Sequence, residues 1–337
     1  MPPIRHPLHD GRWHFQHGPI DLVIGAEGDA RAVCAAHDAA WRRFQPLLAE
    51  LVRELPLLRE PLIDDGPCPL RGDVARRMWL ACCAHRPSFI TPMAAVAGAV
   101  AQEIASAYAR EGITRAWVNN GGDIALHLAP GQAVQVGLVA DVARASSSPW
   151  SGNAPALDGR FEIRAAMPVR GVATSGWRGR SFSLGIADSV TVLAATAAAA
   201  DAAATMIANA VNVEDEQIVR RPANTLKDDS DLGAIEVTVQ VPTLAPALVQ
   251  QALQSGARRA RGLRERGLIE AALLVCQGQA WAEVDAGNMR GESDLMGLGK
   301  PIQQRLPDAA PNSGRPMSGV EHAHVQPSGQ IAGALPA

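Results

Sequence analysis

A carboxylate and a hydroxyl lie four residues apart in an alanine-rich segment, as Asp201 and Thr205 of AADAAATMI. On a helix, residues at this spacing project from the same face, one turn apart. Both are hard oxygen ligands that suit Mg²⁺, which takes few protein ligands and completes its shell with water and substrate phosphates. The structural alternative is that Asp201 caps or pairs with an arginine while Thr205 bonds back to its own helix. A lone buried Asp is costly without a partner, which favours the ligand role.

A second motif places two glycines, Gly121 and Gly122, between Asn120 and Asp123 in the sequence VNNGGDI. Glycine adopts positive φ and lets a ligand approach the backbone. Successive N–H groups in such a turn form an anion-binding nest that suits a phosphate. Asp123 is a candidate to cap the turn or to bond a ribose or a base. The alternative is an ordinary hairpin turn, because Asn-Gly is a common hairpin dipeptide.

A third motif, GVATSG, ends a predicted strand in Thr174, Ser175 and Gly176. The two hydroxyls are candidates to donate to phosphate oxygens, and the glycine permits a sharp bend. Their alternative role is to stabilise a turn. Arg178 and Arg180 follow, and they are candidates either for a phosphate clamp or for a solvated basic loop.

The hydropathy pattern predicts the elements that position these motifs. Apolar residues at helical spacing predict helices at 29–54, 74–84, 93–110, 195–210 and 244–264. Period-two patterns and turn signals predict strands at 12–17, 20–26, 115–119, 123–128, 133–138, 161–165, 169–173, 189–193 and 235–241, with a closing hairpin at 268–284. We expect loops at 56–69 and 143–160. The pattern indicates an α+β protein with mixed or antiparallel sheets packed against helices.

Composition limits the function classes. The chain has 337 residues, 47% of them hydrophobic, so it can bury a substantial core. A net charge of −3 and an aromatic content of 4% argue against a nucleic-acid partner, which needs basic patches and stacking rings. The five cysteines show no CxxC spacing, which argues against a disulfide framework or a zinc ribbon. We therefore expect one large domain over 1–300 and, from its Pro, Gly, Ser and Gln content, a disordered tail over 301–337.

Cell location is predicted from two segments. The amino-terminal residues are polar and rich in Pro and His, without an apolar core, so the chain is expected to be cytoplasmic. The stretch 190–211 has the length of a membrane span, but Asp201 near its centre would cost roughly 2.5–3.5 kcal/mol on insertion. A buried strand followed by a helix is the better interpretation, and no membrane partner is expected.

Taken in order, NNGGDI, VATSG and AADAAATMI resemble the motifs of the ApbE family of FAD:protein FMN transferases. Those motifs are an Asn-x-Gly-Gly-Asp segment, a Thr-Ser-Gly turn and an Ala-Asp-x-x-x-Thr helix. The segment FITPMAAVAGAVAQEIA, together with VNNGGDIAL, is more similar to the UPF0280 branch of that superfamily. The resemblance covers about residues 10–285 and implies an ApbE-like (T-fold-like) fold in a single large domain.

The resemblance also implies site roles and a reaction. Asp201 and Thr205 match the Mg²⁺ ligands of the transferases and would act in catalysis. The residues matching the FAD-binding segment and the flavin-site turn are Asn120, Gly121, Gly122, Asp123, Thr174, Ser175 and Gly176. The implied reaction takes FAD as substrate, moves FMN to a Thr or Ser of an acceptor protein and releases AMP. Such phosphoryl transfer depends mostly on positioning and on charge neutralisation by the metal.

Two other hypotheses stand beside the transferase, and one departure from the family pattern favours the first of them, while the second needs only the metal site. The transferases carry a His-Ile-x-Asp-Pro-like segment after the Thr-Ser-Gly turn, whereas this chain has SFSLGIAD at 181–188, without the His and the Pro. The first alternative is a non-catalytic accessory protein of the UPF0280 type, which the resemblance associates with sulfur assimilation and homocysteine synthesis. The second is hydrolysis of a nucleotide without an acceptor. The Ala-rich helices also fit packing between subunits of a homo-oligomer.

Overall fold

A nine-stranded antiparallel sheet forms the centre of the structure, a computed structural model that describes residues 2–8, 10–63, 65–138 and 159–284. The strands of the described residues are β1 Ile4–Pro7, β2 Trp13–His17, β3 Ile20–Gly28, β4 Ile113–Asn120, β5 Asp123–Leu128, β6 Ala133–Leu138, β7 Gly159–Arg164, β8 Gly171–Ser175, β9 Ser189–Ala194, β10 Val219–Pro222, β11 Glu236–Gln240, β12 Ala271–Cys276 and β13 Gln279–Glu283. The large sheet has the order β1-β2-β3-β4-β5-β8-β9-β12-β13, while β6 pairs with β7 and β10 with β11.

Helices cover one face of this sheet. The α-helices of the described residues are α1 Ala30–Arg53, α2 Leu55–Leu58, α3 Asp73–Cys83, α4 Val96–Ala105, α5 Ala197–Ala210, α6 Ala223–Leu226 and α7 Pro246–Glu265, of which the short α6 packs beside β10 instead. Asp29 caps α1 by accepting from the N–H groups of Arg31 and Ala32, and Thr196 caps α5 through Ala199 N–H. Because nine of its fourteen residues are alanine, α5 packs closely against β8, β9 and α4.

The buried apolar residues form three clusters. One joins α1, α3 and α4 to β2–β4, and a second joins α5 and α7 to β8, β9 and β12. The third lies on the opposite face of the sheet, where the paired strands β6 and β7 cover Trp117, Leu126 and Val172. These clusters support the predicted α+β class, with antiparallel sheets packed against helices in one large domain.

Several boundaries differ from the predictions. The predicted helix at 93–110 is divided into a 3₁₀ turn at Pro92–Ala95, then α4, then a second 3₁₀ turn at Ser106–Tyr108. The predicted loop at 56–69 begins with the last residues of α2, and neither β1 nor β10 was predicted. Short strands such as these are stabilised by pairing with a neighbour, which local patterns do not report. The predicted tail at 301–337, and most of the predicted loop at 143–160, lie outside the described residues.

The membrane-length stretch at 190–211 is divided between β9 and α5, as predicted. Within the described ranges, none of the helices combines the length and the apolar character needed to cross a bilayer.

Candidate functional site

Asp201 lies where α5 crosses the first turn of α4. Its Oδ2 accepts a hydrogen bond from the Gly98 backbone N–H at 2.9 Å. A Cβ on Gly98 would lie 2.2 Å from the Ala197 carbonyl oxygen and 2.9 Å from Asp201 Cβ, so only glycine allows the two helices this approach. The close crossing turns the Asp201 carboxylate toward the end of the central sheet.

Asp123 provides a second carboxylate close to the first. It begins β5, is 8% exposed, and its Oδ1 accepts from the Thr174 N–H at 3.1 Å. Burial raises the pKa of Asp123 to about 7, against the opposing effects of the Thr174 hydrogen bond and the Arg180 charge. Burial, and then the charge of Asp123, raise the pKa of Asp201 well above its usual range. Two carboxylates that repel each other in a buried setting favour a bound cation.

The donor set fits Mg²⁺. Neither Asp123 nor Asp201 is ion-paired with any of the described residues. Thr205 lies one turn further along α5 than Asp201 and is half-buried. Its hydroxyl has no hydrogen-bond partner among the described residues. No cluster of three or more His, Cys, Asp or Glu side chains suited to a metal occurs in that part of the chain. Two carboxylates and a hydroxyl are too few and too hard for zinc, but they match an ion that keeps several water or phosphate ligands.

The glycine motif forms the hairpin between β4 and β5, beside Asp123. Gly121 and Gly122 have φ values of 67° and 114°, and the Gly122 N–H donates to Asn119 Oδ1 at 2.8 Å. Asn120 faces the helices instead, where its Nδ2 donates to the Ala97 carbonyl at 3.1 Å. The predicted hairpin turn is therefore present in the structure. The turn also adjoins the carboxylate pair, since its last residue is followed directly by Asp123.

Arg180 lies over this turn. A Cβ on Gly121 would be only 1.5 Å from Arg180 Nη2, so the guanidinium occupies the space that a side chain would fill. The charge of Arg180 partly opposes the burial that raises the pKa of Asp123, and it adds to the His14 hydrogen bond that lowers the pKa of Asp21. The Arg180 guanidinium therefore lies near the Asp123 and Asp21 carboxylates and against the Gly121 backbone. In this position its positive charge would attract a bound anion.

The Thr-Ser-Gly motif is divided between the two faces of the sheet. Thr174 and Ser175 belong to β8 rather than to a turn. The Thr174 hydroxyl bonds to Thr191 Oγ1 at 2.9 Å on the face away from the helices, so only its backbone N–H reaches the carboxylate pair. Ser175 alternates with Thr174 and shares the helix face with buried Ala173. Gly176 is required because a Cβ there would lie 2.3 Å from the Asp188 carbonyl.

The segment 181–188, which lacks the His of the transferase motif, has a structural role. Asp188 Oδ2 accepts from the Gln277 N–H at 2.5 Å, and its Oδ1 accepts from Trp177 Nε1 at 3.4 Å. Arg178 lies 3.8 Å from the same carboxylate and stacks over the Trp177 ring. Asp188 therefore fixes the loop that carries Arg178 and leads to Arg180. The two arginines thus have different roles, because Arg178 holds this loop while Arg180 reaches the turn.

Gly98 and Asp21 were not identified as site residues from the sequence. A single glycine in the mostly apolar first part of α4 was the available signal for Gly98, because glycine in a helix interior costs about 1 kcal/mol and needs a packing reason. No local signal marks Asp21, which reaches the site through strand pairing alone.

Comparison with known proteins establishes the family. A family model described as AbpE bacteria matches residues 5–283, and the chain therefore belongs to this family. This agrees with the resemblance drawn from the three motifs.

Several relatives are proteins named UPF0280. The one from Methanospirillum hungatei is 37% identical over 166 residues, which cover 48% of this chain and 59% of that protein. The one from Methanothermobacter thermautotrophicus is 41% identical over 134 residues, which cover 40% of this chain and 47% of that protein. The chain thus spans about half of the length of these two relatives. For the Methanosphaerula palustris protein the identity is 39% over 204 residues, covering 59% of this chain and 77% of the relative.

Among solved structures, the chain is similar to the ApbE protein from Thermotoga maritima. The two are 14% identical, with a TM-score of 0.30, over 76% of this chain and 74% of that one.

Proposed function

We propose that the chain binds FAD, or a related pyrophosphate nucleotide, with Mg²⁺ at Asp123 and Asp201, and transfers FMN to a Thr or Ser hydroxyl of an acceptor protein. The observation that carries the proposal is the pairing of these carboxylates, neither of them ion-paired within the described ranges, beside a glycine turn covered by the Arg180 guanidinium. Family membership supports the same chemistry.

Each residue has a role that follows from its position. Asp201, Asp123 and the Thr205 hydroxyl would hold the ion, with Gly98 fixing the orientation of Asp201. Bound Mg²⁺ supplies charge neutralisation at the pyrophosphate. Arg180 would bind a phosphate oxygen above the Gly121 backbone, where its planar donors suit a phosphate.

The proposed transfer requires only FAD and the acceptor hydroxyl as reactants. The acceptor oxygen forms a bond to the phosphorus of the FMN half, and the P–O bond to the AMP half breaks. The hydroxyl proton leaves to solvent or to a phosphate oxygen, and AMP departs. With water in place of the acceptor, the same cleavage gives free FMN and AMP.

The test needs no acceptor. The purified 337-residue chain is incubated with FAD, with and without Mg²⁺, and AMP and FMN are followed by chromatography. We expect Mg²⁺-dependent AMP release that falls by about 100-fold or more in Asp201→Asn, the scale of losing one group that stabilises transition-state charge. Asp228→Asn, which changes an exposed carboxylate away from the site, is the matched control and should retain full release. Intact FAD that does not bind would contradict the proposal.

A non-catalytic accessory role is the second candidate, and one observation favours it. The segment 181–188 lacks the family His, and its Asp188 is committed to Gln277 and Trp177 rather than to the carboxylate pair. In this role the chain would bind a nucleotide without cleaving it. Binding of FAD that depends on Asp201, with no release of AMP in the presence of acceptor-containing lysate, would favour it.

A further inference from the structure

His14 and Asp21 form a hydrogen-bonded pair on the sheet face opposite the helices. His14 Nε2 and Asp21 Oδ1 are 2.9 Å apart, and the side chains are 24% and 32% exposed. In the β2–β3 register His14 is opposite Val23, so Asp21 is its diagonal neighbour on the same face. Leu22, between Asp21 and Val23, points into the core. The pair therefore presents polar atoms to solvent beside the strand ends.

Strand register brings this pair to the glycine turn. Leu22 pairs with Asn120 in the β3–β4 ladder, so Asp21 lies alongside Gly121. Adjacent strands are about 4.8 Å apart, which places the Asp21 backbone one strand from the turn. Arg180 covers Gly121. The pKa of Asp21 is lowered mainly by the His14 hydrogen bond, and the charge of Arg180 adds a smaller effect in the same direction. The glycine turn, the Arg180 guanidinium and the His14–Asp21 pair therefore lie next to one another at the same end of the sheet.

The Asp21 carboxylate has an acceptor atom to spare. One oxygen bonds His14, while the other accepts no hydrogen bond from any residue in the described part of the chain. The hydrogen bond between the two side chains raises the pKa of His14 and lowers the pKa of Asp21. Asp21 is therefore an ionised carboxylate at neutral pH, and His14 fixes its orientation. A carboxylate one strand away from a phosphate-binding glycine turn is well placed to accept from sugar hydroxyls, as acidic residues do in dinucleotide-binding folds.

We infer that Asp21, oriented by His14, binds the hydroxyl groups of the polyhydroxy chain attached to the phosphate at the Gly121 turn. The ligand class is a phosphorylated polyol, with ribose and ribityl as its two sources in FAD. The inference rests on the proposed function, because that function places the phosphates at this turn. It assigns Asp21 to substrate selection, distinct from the metal-binding carboxylates on the opposite face.

The test separates the sugar from the phosphate. Affinities of wild type, Asp21→Ala and Asp21→Asn for FMN, AMP and pyrophosphate are measured by titration calorimetry with Mg²⁺. We expect Asp21→Ala to weaken the affinity for one of the two nucleotides by about 10-fold, the usual scale for a hydrogen bond to a charged group. The nucleotide affected, FMN or AMP, is the one whose hydroxyl groups contact Asp21. Pyrophosphate affinity should stay within about two-fold, since it carries no hydroxyl chain. His14→Ala should weaken the affinity for the same ligand by a smaller factor, because the Asp21 carboxylate remains but is no longer oriented by His14.

Asp38→Ala is the matched control, since it removes another ion-paired carboxylate, the partner of Arg5, away from the turn. Equal loss for pyrophosphate would show that Asp21 acts through Arg180 and would overturn the sugar role. Unchanged affinities in both Asp21 variants would also overturn it, while leaving the proposed function intact. If wild type binds none of the three ligands, it is the proposed function that fails. Thermal unfolding of each variant identifies any that is misfolded, in which case Asp21→Asn decides.

Discussion

The Gly98 backbone N–H and the Asp201 carboxylate are joined by a 2.9 Å hydrogen bond between α4 and α5. The bond has two consequences. It orients the carboxylate toward Asp123, and it requires that position 98 carry no side chain, since the Ala197 carbonyl already occupies the place of a Cβ. The stability of the helix pair and the geometry of the site therefore depend on one residue.

We predict that Gly98→Ala separates α4 from α5. The new methyl group would overlap backbone atoms that cannot rotate away, and overpacking of this kind costs about 1–3 kcal/mol. Unfolding in urea should show this loss, and Mg²⁺ should no longer raise the melting temperature because Asp201 is displaced.

Gly262→Ala is the control for Gly98→Ala. Gly262 lies inside α7 with no atom within 4 Å of an added Cβ, so the change should be neutral or stabilise by up to about 1 kcal/mol. A Gly98→Ala variant as stable as wild type would show that the helix crossing is not tightly constrained.

A second prediction concerns the charge of Asp201. Without metal, the partly buried carboxylate is desolvated and repelled by Asp123, so it destabilises the fold when ionised. Asp201→Asn keeps an oxygen that can accept from Gly98 and removes the charge. We expect the metal-free variant to be more stable than wild type at pH 8 by about 1 kcal/mol or more. Urea unfolding in a chelator measures this difference.

The same variant should lose the stabilisation that Mg²⁺ gives wild type, since a ligand stabilises only the state that binds it. Asp228→Asn, an exposed change, should alter the free energy of unfolding by no more than about 0.5 kcal/mol. Destabilisation of metal-free Asp201→Asn would mean that the carboxylate serves the fold rather than a cation.

The sequence predicted the local part of this site and missed the long-range part. The i, i+4 spacing correctly placed Asp201 and Thr205 on one helix, and the period-two pattern correctly gave the strands on both sides of Gly121. These are features of single elements, and local patterns report them.

What the sequence could not predict depends on pairing between distant segments. The approach of Gly98 to Asp201 spans 103 residues, and the alignment of Asp21 with Gly121 depends on the register of β3 against β4. The sequence pattern ends this strand at Ala173 and predicts a turn at Thr174, yet pairing with Thr191 extends β8 through Thr174 and directs its hydroxyl to the other face. Such register is set by tertiary packing rather than by the residues themselves.

A third prediction tests the contact of Arg180 with the turn. In Gly121→Ala, the methyl group would displace the guanidinium, and a residue other than glycine at φ 67° costs about 1–2 kcal/mol. We expect that loss in urea unfolding, with pyrophosphate affinity weakened by about 10-fold because a charged phosphate partner is displaced.

Gly131→Ala separates these two effects. Gly131 has φ 80°, with no atom within 4 Å of an added Cβ, so it carries the same backbone cost without touching Arg180. It should lose similar stability and retain pyrophosphate binding. Equal affinities for the two variants would remove Arg180 from the anion site.

The last prediction concerns pH and His85, which follows α3 and is buried with its Nδ1 unpartnered among the described residues. Burial, and then the charges of Arg259 and Arg266 on and after α7, lower its pKa from 6.5 to about 4. Because the folded pKa is below the unfolded one, the unfolded chain takes up the proton first. Stability is therefore lost as pH falls from 6.5 toward 4, by up to roughly 3 kcal/mol.

His85→Leu should remove this loss, so its free energy of unfolding relative to wild type should improve steadily as pH is lowered through that range. His14 gives the opposite sign, because its hydrogen bond with Asp21 raises its pKa. The stability from His14 is present at acid pH and lost as pH rises past its folded pKa, so His14→Gln should be most destabilised at low pH. Urea unfolding at half-unit pH steps measures both variants. Parallel pH curves for His85→Leu and wild type would show that His85 is protonated without cost in the fold.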